Sequence, residues 1–176
     1  MTSSTNLLGL DLNLIDPSDA QGRILQACAK CWFEKNDTGL NNWGDCSGFV
    51  KAVQAELNLQ PFEKLHRANE IFDDVETRPD WLVLGQGSHA LAHAGVAARQ
   101  GSLTIGVWKN PKKGANGHVA IITTYLELLG IKPEQHALGA WGQLHSVGRM
   151  LDKMSASFGK DKHKEIRYAK CLIPII

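Results

Sequence analysis

The sequence has almost no net charge: 19 Lys and Arg stand against 18 Asp and Glu, leaving +1 over 176 residues. Such a chain has no overall field to hold a polyanion, so nucleic acid and anionic membrane surfaces are poor partners. It also lacks a long apolar run. A spanning helix needs about 20 consecutive apolar residues, and the best stretch here, residues 119–122, is far shorter; no membrane insertion is expected. The amino terminus, MTSSTNLLGLDLNLIDPSDA, has no basic segment ahead of its apolar residues, and Asp11 and Asn13 interrupt them, so no cleavable secretory signal is expected. Cysteine is scarce. Cys28, Cys31, Cys46 and Cys171 are too few for a disulfide framework that replaces a core. Internal repeats and low-complexity tracts are missing as well. What remains, 43% hydrophobic residues in a length suited to one domain of about 150 residues, predicts a single folded unit over residues 1–176, with about 1–15 as a flexible segment.

Periodicity orders that unit. Pro17 sits just inside a helix start marked by Asp16, and Ile24, Leu25, Cys28, Cys31 and Trp32 follow at helical spacing. Cys46, Phe49, Val50, Val53 and Leu57 share a second helical face, with Asp45 as N-cap. Ala68, Ile71, Phe72 and Val75 suggest a third helix, stopped by Pro79 and followed by a strand at 81–84. Ser88 is the expected cap of an alanine-rich helix ending near Gly101. Strands are then predicted at 103–108, 118–124, about 135–141 and 166–173, with NPKKGANG at 110–117 as a surface loop. Helices followed by successive strands predict an α+β domain with the N-terminal helices packed on an antiparallel sheet.

Two motifs carry chemistry. DCSGFV puts Cys46 in the first turn of a helix, where free amide hydrogens and the positive dipole end favour thiolate, and Gly48 lets another group approach the backbone. A thiol nucleophile needs a base within reach. GHVAII supplies His118 at a strand start after a glycine-rich loop, where its side chain faces a cleft while Val119 and Ile121 point into the core. Cys28 and Cys31 lie inside a helical pattern, and no second CxxC completes a zinc site, so core packing or an incidental disulfide is expected and no metal. Trp43, Trp108 and Trp141 lie near the two motifs as cleft or core residues, and Lys109, Lys112 and Lys113 form a small basic loop.

DCSGFV followed 72 positions later by GHVAII resembles the NlpC-like branch of papain-fold cell-wall amidopeptidases, and more closely the compact amidase effectors that bacteria deliver by type VI secretion. The resemblance runs from about Ile24 through WGDCSGFVKAVQAEL to SVG at 146–148; it is specific at the two motifs and loose elsewhere. It implies a papain-like core in which Cys46 attacks an amide of the peptidoglycan stem peptide or its cross-links and His118 acts as base, without a cofactor. Asp45, Ser47, Gly48, Trp43 and Gly117 are then expected to line the substrate site. It further implies a chain made in the bacterial cytoplasm, passed through a secretion apparatus, acting in a recipient's periplasm and held in check by a cognate immunity protein. A third residue normally orients the histidine. No Asp occurs between His118 and Asp152, which leaves His136, Gln143 and His145; His136 is the choice if a turn at 130–133 returns the chain beside His118. Two other classes share these residues: a Cys-His acyltransferase or transglutaminase-like enzyme, although the Asp a transglutaminase expects soon after its His is absent, and a non-enzymatic binding module on the same fold.

Overall fold

A computed structural model describes residue 16 and residues 18–35, 39–125, 137–144 and 146–176. The elements run α1 (Ala20–Trp32), α2 (Cys46–Glu56), α3 (Ala68–Thr77), β1 (Trp81–Gln86), α4 (Gly87–Arg99), β2 (Thr104–Trp108), β3 (His118–Tyr125), β4 (Ala137–Trp141), β5 (Arg149–Lys153), α5 (Met154–Phe158) and β6 (Arg167–Cys171). The six strands form one antiparallel sheet in the order β1-β6-β2-β3-β4-β5. This is the expected α+β class.

The sheet is covered on both faces. Val107, Val119 and Ile121 point into a core with Ile24, Cys28, Phe49, Val50 and Ile71 from α1, α2 and α3. Ala120, Ile122, Trp141 and Tyr168 point the other way, onto Leu91 and Ala94 of α4 and Met154 and Phe158 of α5. Burial from two sides explains why β3 reads as an unbroken apolar run rather than an alternating one.

Local signals account for most boundaries. The Asp19 carboxylate accepts from the Gly22 amide at 2.6 Å and caps α1. Asp16 sits earlier, in a turn closed by the Ser18 amide at 2.8 Å, so it is not the helix cap its place beside Pro17 suggested. Likewise α4 begins at Gly87 directly after β1, without a side-chain cap, and Ser88 lies within its first turn. The segment 149–158, which sequence periodicity left without structure, holds β5 and α5. Met154 and Phe158 lie one turn apart on α5 and are almost fully buried, a gain of roughly 1.5–3 kcal/mol each that replaces capping as the reason this five-residue helix forms. Among the described residues no helix is long and apolar enough to cross a membrane.

Candidate active site

The α2 start is built by Asp45, whose Oδ1 accepts from the amides of Ser47 at 3.1 Å and Gly48 at 3.0 Å. Two of the helix's open amides are thereby satisfied, and the Cys46 amide takes no part in the cap. The segment before it is pinned as well: the Trp43 carbonyl accepts from the amides of Gln143 and Gly148, both at 2.9 Å. That clamp needs glycine at 142, since a side chain there would overlap the carbonyl oxygens of Asn42 and Asp45.

Cys46 is half-buried and packs on the core beneath α1 to α3. Its sulfur lies 3.8 Å from the Ser47 hydroxyl and feels the backbone amide of Val119, the residue after His118. Burial pushes its thiol above the usual cysteine range; the Val119 amide and the Ser47 hydroxyl oppose the shift, and the Asp45 carboxylate adds to it. Desolvation therefore outweighs the helix end, and the resting sulfur is a thiol rather than the thiolate expected from its place at the helix start.

His118 opens β3 opposite Trp108 of β2. The loop that delivers it is tied down by Asn69 of α3, which donates to the Ala115 carbonyl at 2.9 Å and accepts from the Asn110 amide at 2.9 Å. Gly117 fits because any side chain would run into the Trp108 carbonyl and Asn69. The His118 Nε2 lies 2.9 Å from the Ser157 hydroxyl, and its ring meets Phe158 edge-on at 5.1 Å. Burial, with help from the nearby Lys162 ammonium, lowers the imidazole to about 4, so it is neutral at pH 7. Lys162 rides over the Trp108 ring at 4.2 Å, while the indole of Trp108 donates to Glu165 at 2.8 Å.

A cleft of about 240 Å³ opens at His118, lined also by Trp108, Asn116, Gly117, Gln143, Ser157 and Lys162. Cys46 does not line it. The structure thus brings the sulfur against the peptide that follows His118, while the imidazole faces the cleft from the other side, and no hydrogen bond joins the two side chains.

The Asp45 carboxylate is taken up by the helix start, Ser47 and Gly48 are buried, and Trp43 is half-buried against the core. Gly117 is on the cleft wall. Trp141 is core. His136 and His145 lie outside the described residues. Ala137, the first described residue of β4, pairs with Tyr125, seven residues along β3 from His118, whereas Gln143 lines the His118 cleft. Ser157 and Lys162 were missed, because neither stands in a motif; both come from the segment whose structure depends on tertiary packing. Cys28 and Cys31 are free, buried thiols, with Cys31 pushed up to about 12 by burial. Among the described residues no group of three or more His, Cys, Asp or Glu side chains is placed to hold a metal ion.

No family model matches the chain. The chain is 35% identical over 99 residues to the peptidoglycan amidase Tse1 of Pseudomonas aeruginosa, a stretch that is 56% of this chain and 57% of that protein. The match thus spans little more than half of either molecule.

Proposed function

We propose that the chain is a peptidoglycan amidase of the cysteine type, with Cys46 as nucleophile and His118 as general base and acid, in a single catalytic domain of papain-like NlpC character. The observation that carries this reading is the contact of the Cys46 sulfur, at the start of α2, with the backbone amide directly after His118 at the start of β3. The similarity to a peptidoglycan amidase supports the substrate class.

A half-buried cysteine that rests as the thiol, beside a neutral imidazole, favours concerted chemistry over a preformed ion pair. Cys46 lies outside the His118 cleft in the resting structure, so the step requires the imidazole and the sulfur to close on an amide substrate bound between them, as catalytic hydrogen bonds often do only in the complex. The Cys46 proton then passes to Nδ1 of His118 while the sulfur forms its bond to the carbonyl carbon. The Cys46 amide, which the Asp45 cap leaves over, stabilises the oxyanion. Breaking of the C–N bond expels the amine, which takes the proton from the imidazolium, and leaves a thioester. Water, deprotonated by His118, adds to the thioester carbonyl; collapse breaks the C–S bond and restores the thiol. The stem peptide and its cross-links lie in the periplasm, so we read the protein as a secreted effector, passed on by a secretion apparatus and neutralised in the producing cell by an immunity protein.

The test is digestion of purified muropeptides with fragments identified by mass. The native chain should release amide-cleaved fragments and Cys46→Ala should release none while keeping its fold. Retained cleavage by Cys46→Ala overturns the assignment, and the fragment masses identify the bond.

A further inference from the structure

We propose that Ser157 is the positioning residue of the base: its hydroxyl accepts the Nε2 hydrogen of His118 and so keeps the Nδ1 lone pair for the Cys46 thiol. This rests on the reading of Cys46 and His118 given above.

The geometry is specific. Ser157 Oγ lies 2.9 Å from Nε2, and Phe158, the next residue on α5, holds the same ring edge-on at 5.1 Å with planes at 66°. One short helix therefore restrains both the direction and the tilt of the imidazole. With Nε2 engaged, Nδ1 is the ring nitrogen left for a thiol. A base needs a lone pair on the nitrogen that receives the proton, so the ring hydrogen must sit on Nε2, and Ser157 must accept it rather than donate. Phe158 and Met154, buried in the second core, anchor the helix that carries the hydroxyl.

A hydroxyl in this place has a consequence that a carboxylate would not. An aspartate at Nε2 would stabilise imidazolium and raise the basicity of the ring. Ser157 adds no charge. The charged group bearing on the ring is then Lys162, from the turn after α5, which acts with burial to keep the imidazole neutral. The Glu165 carboxylate accepts from the Trp108 indole. Orientation and charge are thus supplied by different residues, and substitutions can separate them.

The experiment uses the full chain with muropeptides as substrate and nitrogen-15 NMR of the histidine rings. Wild type should show His118 protonated on Nε2. Ser157→Ala should lose the fixed tautomer and lower kcat roughly tenfold to a hundredfold with KM within about twofold, a smaller loss than the ~10⁴ seen when a charged orienting residue is replaced. Ser157→Thr, which keeps the hydroxyl, should recover activity. Ser157→Asp should move the acid limb of kcat/KM upward from about pH 4, a shift that a merely structural role would not produce. Should Ser157→Ala fail to fold, the Thr and Asp variants still decide. Full kcat in Ser157→Ala, an Nδ1-protonated ring in wild type, or an unmoved acid limb in Ser157→Asp overturns the proposal. Cys46→Ala in the same assay separates the two ideas: if it is inactive while Ser157→Ala is fully active, the positioning role alone fails; if it is active, the whole reading of the site fails.

Discussion

The two ends of the proposed dyad rest on different cores, Cys46 of α2 against the first and His118 of β3 against Phe158 of the second, and are held by different contacts. On one side Cys46 is fixed by the start of its helix: the Asp45 cap, the clamp on the Trp43 carbonyl and the packing of α2 on the first core. On the other, His118 is fixed through side chains, by Ser157 and Phe158 on a short helix, with burial, helped by Lys162, keeping it neutral. The cysteine side resembles a rigid mount and the histidine side an adjustable one.

The largest effect expected from breaking this arrangement is loss of function from either end. His118→Ala should abolish muropeptide cleavage about as completely as Cys46→Ala, and the double variant should be no worse than either, because groups that act as a unit fail together. Turnover numbers of the three variants under saturating substrate check this. A double variant far below both singles would mean that the two ends act independently.

How much of this was open to sequence reading follows the same division. Asp45 and Cys46 lie beside each other in the chain, so the capped helix start could be read from local pattern, and Gly117-His118 before an apolar run marked the strand start. The groups that meet the His118 ring come from 157, 158 and 162, in a stretch with no alternation and no capping signal. Leu151 of β5 even has φ 52, an uncommon conformation for a leucine. Such elements exist because the second core has room for Met154 and Phe158, and a single sequence does not reveal that room. The third-residue expectation rested on register: β3 and β4 pair antiparallel with Ala137 opposite Tyr125, and His136 itself lies outside the described residues.

The next largest effect should come from Gly117→Ala. Its new methyl would strike the Trp108 carbonyl and Asn69, two groups held by the β2–β3 ladder and the 109–117 loop, so neither can yield cheaply. A cost of about 1–3 kcal/mol in chemical unfolding is expected. Activity should fall further than stability, since a displacement of about 1 Å at a catalytic group can cost ~10²-fold. Equal stability and equal activity would show that the His118 mount is looser than the geometry implies.

A pH series sharpens the contrast without touching the backbone. The folded chain holds His118 near 4, below its ordinary 6.5, so the unfolded chain takes up a proton first as the solution is acidified. The stability that His118 contributes is complete above pH 6.5, declines as pH falls toward 4 and is then fully lost. His66, raised by its bond to Asp74, works in the opposite sense. Comparing urea unfolding of wild type and His118→Gln at each pH cancels His66 and leaves the His118 slope. Between pH 6.5 and 4 the wild type should lose stability relative to the variant, and the acid limb of kcat/KM should lie near 4 rather than 6.5. Parallel curves for the two proteins would mean that His118 is not held neutral in the folded chain.

The smallest effect concerns Asp45, which does two things to the cysteine side that a pair of substitutions can separate. As a cap its oxygen satisfies the amides of Ser47 and Gly48; as a charge it adds to the upward shift of the Cys46 thiol. Asp45→Ala removes both. It should cost about 1 kcal/mol of stability, the usual value of an N-cap side chain, and should lower the thiol's basicity because the repelling carboxylate is gone. Asp45→Asn keeps an oxygen of the same reach and removes only the charge, so it should cost little stability while lowering the thiol by a similar amount. The check is the rate of alkylation by iodoacetamide against pH, read at Cys46 by peptide mass, with the buried Cys28, Cys31 and Cys171 as internal controls. Both variants should react faster than wild type at a given pH between 7 and 9. Slower reaction in Asp45→Asn would mean that the carboxylate supports the thiolate through the helix start more than it repels it, reversing the sign assigned to it here.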